Sequence, residues 1–195
     1  MLKVLVACEF SGIVREAFRR RGQDAISCDF LPTEIEGPHI QGDVREHLTP
    51  DFDLMIGHPP CKYLAVSGAR WFRGRESLQR EALNFVANLM AAPIARICIE
   101  NPVSIISTKI KKPDQIIQPW QFGHEETKST CLWLKNLPKL VPTKTMMIRN
   151  RNLAPSGCNK VSPSPDRWKT RSRTYTGIAD AMAQQWSNSL KFFQR

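Results

Sequence analysis

The chain has 195 residues, 42% hydrophobic and 24% charged, which is the size and balance of one ordinary domain with a buried core. No stretch approaches 18 consecutive apolar residues, and the apolar start from Met1 to Cys8 lacks a basic leader and a cleavage site, so neither a membrane span nor a signal peptide is expected and a cytoplasmic setting is. The formal net charge of +10 is unevenly spread: residues 1–134 hold 16 basic and 16 acidic side chains, while residues 135–195 hold 12 and 2, and such asymmetry points to a polyanionic partner.

In chain order, Leu2 to Ala7 is an apolar run that predicts a first strand. Ser11 to Arg21 carries Ile13, Ala17 and Phe18 at helical spacing and stops at Gly22, a fitting C-cap. Asp24 to Cys28 predicts a second strand ending at Asp29-Phe30, His39 to Asp43 a short third, and residues 53–57 a fourth. Glu76 to Ala91 repeats Leu78, Ala82, Leu83, Val86 and Leu89 on one helical face. Ile94 to Ile99 is a fifth strand ending at Glu100-Asn101-Pro102; Thr130 to Leu134 and Thr145 to Ile148 follow as later strands. Residues 149–170, rich in Asn, Pro, Ser and Arg, predict an irregular segment, and Gly177 to Phe193 a closing helix. Strands alternating with helices give an α/β fold around a mostly parallel, doubly wound sheet.

Gly57-His58-Pro59-Pro60-Cys61 follows the fourth strand directly. Two prolines fix φ twice and remove two donors, so Cys61 sits on a stiff loop at a strand's carboxyl end, where open α/β sheets collect their chemistry. The bland reading of Cys61 is a small buried hydrophobe. The six cysteines are scattered, which argues against a disulfide framework. His58-x-x-Cys61 has the spacing of a metal pair, but no second pair completes four ligands, so no metal is expected. The first strand, Gly12 turn and helix suggest a nucleotide-type cradle, in which a ligand approaches the helix N-terminus. Asp29 follows the second strand, where an acid can bond ribose hydroxyls.

Taken in order, these strand ends resemble the DNA cytosine-C5 methyltransferases. Phe10-Ser11-Gly12 is similar to that family's first motif, and Ser27-Cys28-Asp29-Phe30 to the segment with a ribose-binding acid and an adenine-facing aromatic. Gly42-Asp43-Val44 resembles the motif whose acid bonds the adenine amine; Pro59-Pro60-Cys61 resembles the nucleophile loop, Glu100-Asn101 the Glu-Asn motif, and Tyr175 to Ile178 the closing motif. The resemblance covers most of residues 2–134 and the last 20. It implies a Rossmann-like methyltransferase fold using S-adenosyl-L-methionine, held by Phe10, Ser11, Gly12, Asp29, Phe30, Asp43, Val44, Pro60 and Thr176. It also implies duplex DNA as substrate, with the target base flipped out to a Cys61 nucleophile. Glu100 would bond N3, Asn101 would hold the loop, Lys128 would contact phosphate, and Lys62 would help lower the Cys61 pKa. Lys62 stands where the family has Gln, Thr176 where it has Asn, and the target-recognition region shrinks to residues 135–173, as in phage and prophage versions working inside a bacterial host cell. The expected parts are a catalytic and cofactor-binding core (1–134), a basic recognition segment (135–173) and a C-terminal helix packing back on the core (174–195).

Lys62, Arg149, Arg151, Arg167, Lys169, Arg171 and Arg173 are the nucleic-acid candidates, because cations beside Trp168 and Tyr175 combine phosphate contact with stacking. Other classes stay open: modification of a pyrimidine in RNA or a free nucleotide, or a catalytically silent nucleic-acid-binding relative. A dinucleotide-dependent oxidoreductase is disfavoured because the full Gly-x-Gly-x-x-Gly is missing.

Overall fold

Short apolar runs too brief to be helices become the strands of a single seven-stranded sheet in a computed structural model, which describes residues 1–146, 162 and 164–189. In chain order these are β1 (Lys3–Ala7), β2 (Asp24–Asp29), β3 (His39–Gln41), β4 (Leu54–Gly57), β5 (Arg96–Pro102), β6 (Gln115–Ile117) and β7 (Thr130–Lys135). Their spatial order is β3-β2-β1-β4-β5-β7-β6. The first five are mutually parallel, whereas β7 runs antiparallel to both β5 and β6. The fold is therefore α/β, a Rossmann-like and mostly parallel doubly wound sheet. Its strand order reverses between β1 and β4, and in such sheets the crevice at the reversal is where ligands sit.

Alternation along the strands sends side chains to two cores. Val4, Val6, Leu54, Ile56, Cys98 and Leu132 pack with helix α1 (Ile13–Arg19) and the C-terminal helix α5 (Thr176–Ser189), whose Met182, Ala183 and Trp186 are buried in the same cluster. Leu5, Ala7, Met55, Ile97, Ile99 and Trp133 face the other side, against Val86 and Leu89 of α2 (Glu76–Met90) and Ile106 of the short α3 (Ile106–Lys109). Buried on both faces, the central strands read as continuous apolar runs rather than as alternating ones. Gly57 ends β4 where a Cβ would lie 2.9 Å from the far end of the Ile99 side chain, which would have to shift to admit a larger residue.

Several expected boundaries shift. The first helix is Ile13–Arg19 rather than Ser11 to Arg21, because Gly12 takes φ 74° and the chain turns through it before the helix begins. The third strand stops at Gln41; Asp43 instead caps a 3-10 turn, Val44–His47, by accepting the Arg45 N–H. β6 was not expected: three residues are too few to carry a period, and Gln115 is held by paired side-chain bonds to the Leu140 backbone, 25 residues away. Thr145 and Met146 are not in a strand, and the rest of that expected strand lies outside the described residues. Within the segment expected to be irregular, Arg167–Ser172 forms a helix, α4. Among the described residues no helix is long and apolar enough to cross a membrane.

Candidate functional site

At the carboxyl end of β1 the first surprise is Glu9, only 4% exposed. Its carboxylate accepts the backbone N–H groups of Val14 (2.7 Å) and Arg15 (3.1 Å) and the Ser11 hydroxyl (3.2 Å). A side-chain anion thus occupies the start of α1. This corrects the expected cradle: the helix N-terminus does not stand open to a ligand, because Glu9 consumes its amides. Gly12 remains necessary, for φ 74° suits glycine and a Cβ there would meet the Arg15 guanidinium at 2.7 Å. That guanidinium, fully buried, bonds the Ser27 hydroxyl (3.0 Å), the Thr33 hydroxyl (3.1 Å) and the Ile35 carbonyl (2.5 Å), fastening the loop after β2 to α1.

Along the ends of β2 and β3 the acids differ. Asp29 accepts the Leu31 N–H at 2.9 Å, and burial raises its pKa despite that bond. Phe30 beside it is 70% exposed, an open ring face. Asp43 is gripped by the Arg45 guanidinium, which, together with the Arg45 backbone N–H, holds its carboxyl below the ordinary range. Val44 is buried behind it.

The nucleophile loop leaves β4 next to β1. Asn101, buried on β5, donates from Nδ2 to the Pro59 carbonyl at 2.8 Å, so the strand beside β4 holds the loop that bears Pro60 and Cys61. Glu100 lies on the same strand end, and its partner is His58, whose Nδ1 stands 3.0 Å from Oε2. No arginine or lysine among the described residues bonds it. Desolvation opposes charge on both members, yet each stabilises the other: the His58 pKa ends above its ordinary value and that of Glu100 below. Cys61 is exposed as a residue, but the protein around its thiol raises the pKa by desolvation, and the Glu100 charge adds to it. The cations that pull it down are Lys128 and Arg171, not the neighbouring Lys62, which lies exposed 5.2 Å from the Tyr63 ring centroid. The expected thiol activation by Lys62 is thereby corrected, since an exposed ammonium loses its field to water.

Helix α4 lies across these strand ends. Trp168 packs on Phe10, centroids 5.9 Å apart, and Arg173 forms a two-pronged ion pair with Glu34 (2.7 and 2.8 Å). Lys128 donates to the Arg171 carbonyl at 3.1 Å. Beneath α4 a cavity of about 40 Å³ is lined by Cys8, Glu9, Phe10, Ser11, His58, Ser172 and Thr174. Thr174 lines it where Thr176 was expected; Thr176 instead opens α5 as an exposed residue. Of the expected nucleic-acid residues, Lys169 pairs with Asp166 (3.3 Å), Arg173 with Glu34, and the Arg167 Nε is buried. Arg171 is exposed, and Arg149 and Arg151 lie outside the described residues.

Two features escape a reading by motif. His58 was weighed only as half of a metal pair, although a titratable ring just before Pro-Pro-Cys is the available signal. The stretch 61–75 carries Lys62, Arg70, Arg73 and Arg75, all exposed, with no acid among them and with Trp71 59% exposed under the Arg70 guanidinium. Among the described residues no group of three or more His, Cys, Asp or Glu is disposed to hold a metal ion.

No protein-family model matches the chain, and no curated protein sequence matches it either. A solved structure from E. coli, described as a candidate DNA modification methyltransferase encoded within a prophage, is similar at a TM-score of 0.45 and 16% identity, over 74% of this chain and 53% of that one. The chain thus spans about half the length of that protein.

Proposed function

We propose that this protein transfers a methyl group from S-adenosyl-L-methionine to C5 of cytosine in DNA. The observation that carries the reading is the meeting of Cys61, Glu100 and Asn101 at the adjacent carboxyl ends of β4 and β5, with Asp29 and Phe30 at the end of β2 on the same edge of the sheet. C5 of cytosine is too weak a nucleophile to take a methyl group unaided. Addition of the Cys61 thiolate to C6 makes C5 enamine-like and divides one hard step into easier ones. Glu100 faces the N3 edge and the exocyclic amine, where proton delivery favours that addition. Asn101 keeps Cys61 at a fixed height through Pro59. Lys128 offers its cation to the backbone of the flipped nucleotide.

The donor set fits the methyl donor. Asp29 suits ribose hydroxyls, the open ring of Phe30 suits adenine, and Asp43 with Val44 suits the adenine edge once Arg45 yields. Phe10 and Ser11 line the cavity at the end of β1, with Gly12 next in the chain, while Pro60 lies on the Cys61 loop. When bound, the group supplies an electrophilic methyl on a sulfonium. The cavity beneath α4 that Phe10 and Ser11 line is about 40 Å³, far below the ~300 Å³ of ordinary ligand sites, so a ligand reaching into it would need α4 to part from Phe10.

The test is incubation with labelled S-adenosyl-L-methionine and duplex DNA, RNA or dCMP, followed by digestion. Label in 5-methylcytosine from DNA supports the reading; label in RNA, in dCMP or in another base overturns it.

A further inference from the structure

His58 is not accounted for by the reading above. Its side chain is 9% exposed, Nδ1 is bonded to Glu100, and Nε2 is buried without a hydrogen-bond partner among the described residues. An ionised carboxylate only accepts, so Nδ1 must carry the proton in this pair. The ring borders the cavity lined by Cys8, Glu9 and Phe10. The charged and titratable groups around it are Glu100 from β5, Glu9 from the end of β1, Asp29 from the end of β2, Lys128 before β7, and Cys8 in the cavity wall. Three carboxylates against one ammonium make this a place for a cation.

The geometry points to His58 as the positioning residue and proton store of the site, an imidazolium that holds the Glu100 carboxylate in place and supplies, through it, the proton that the substrate takes. The inference rests on the cytosine reading. As the Cys61 sulfur bonds to C6, the C5=C6 pair becomes C5=C4 and the C4=N3 pair moves to N3. The Nδ1 proton of His58 passes to the Glu100 carboxylate and from it to N3. The step leaves neutral imidazole, ionised Glu100 and a protonated N3, with no charge unaccounted for.

The pH dependence follows. The rate needs Cys61 as thiolate and His58 as imidazolium, and both pKa values are raised, the thiol's from a higher starting value. Below the His58 pKa the rate rises about tenfold per pH unit as thiolate forms; above it, loss of imidazolium cancels that gain and the profile goes flat. His58→Gln keeps an N–H donor for Glu100 but stores no proton. Single-turnover methylation of duplex DNA by this variant should be about 100-fold slower near pH 6 and should keep rising where the wild-type profile is flat. The same plateau in His58→Gln overturns the assignment while leaving the cytosine reading intact. Absence of 5-methylcytosine from the wild-type reaction overturns both. Should His58→Gln not fold, ring NMR of the four histidines in wild type and Glu100→Gln decides: the His58 midpoint falls when the carboxylate is neutralised, and an unmoved midpoint sinks the proposal.

Discussion

A thiol held above its ordinary pKa is a poor nucleophile at rest, and Cys61 is such a thiol. The groups that lower it, Lys128 and Arg171, reach it across space from other elements, so reactivity depends on how those elements sit. DNA containing 5-fluorocytosine should trap the protein covalently when S-adenosyl-L-methionine is present, because fluorine at C5 cannot leave as a proton does. Denaturing electrophoresis should show the shifted band with wild type and none with Cys61→Ala; an adduct in the variant would remove Cys61 from the nucleophile's role. Asp29 accepts the Leu31 N–H, and Asp29→Ala should weaken methyl-donor binding by about 1–3 kcal/mol if the carboxylate bonds ribose hydroxyls. Calorimetry giving the wild-type affinity would exclude it. The strand-end residues were legible because each follows an apolar run that stops at Gly, Asp or Pro. The His58–Glu100 pair was not: 42 residues separate its members, and only the pairing of β4 with β5 joins them. Glu9 escaped for another reason. A carboxylate ahead of a Ser-Gly turn reads as exposed until the chain folds it back onto the amides of Val14 and Arg15.

At the scale of elements, α4 is the part that sequence period could not reveal. Six residues, Arg167–Ser172, are too few to carry an apolar stripe, and helices this short form only on a surface that holds them. That surface is Phe10 for Trp168, Glu34 for Arg173 and Lys128 for the last carbonyls. The Arg173–Glu34 pair is partly exposed, so its worth is at most about 1 kcal/mol. A strap so lightly fastened over so small a cavity would gate any ligand that enters there. Glu34→Ala should therefore speed association of the methyl donor several-fold, as read by stopped-flow Trp fluorescence, because less of the protein waits in the closed form. An unchanged association rate would show that α4 is not what closes the site. The β sheet itself was legible nearly whole, since buried parallel strands need continuous apolar runs; only β6, fixed by Gln115 and its distant backbone partners, left no such trace.

Over the whole molecule, charge is divided in a way that bears on recognition. Residues 1–134 are neutral in sum, yet the Cys61 loop breaks that balance locally, presenting Lys62, Arg70, Arg73 and Arg75 beside the exposed Trp71. In the basic part, Lys169 and Arg173 are already matched by acids. Cations on both sides of the strand ends give affinity for phosphate, but phosphate contacts carry no sequence information. Base-edge readout needs a scaffold that enters a groove, and past Lys135, the last residue of β7, residues up to 173 hold only the six-residue α4 as helix or strand among those described. The target should therefore be short, about two to four base pairs, since few side chains can reach base edges from so little scaffold. Replacing Arg70 and Arg73, or Arg171, should weaken DNA binding almost equally for every sequence and flatten its dependence on salt by about one counterion per charge removed. Trp71→Ala should cost about 1–3 kcal/mol of affinity if its ring stacks on a base. Fluorescence anisotropy across a salt series reads both effects. Bisulfite sequencing of DNA methylated by the protein reads the target: a strictly observed site of six or more base pairs would mean that base readout resides in a part of the chain other than α4 and the Cys61 loop, and the short-site prediction would fall.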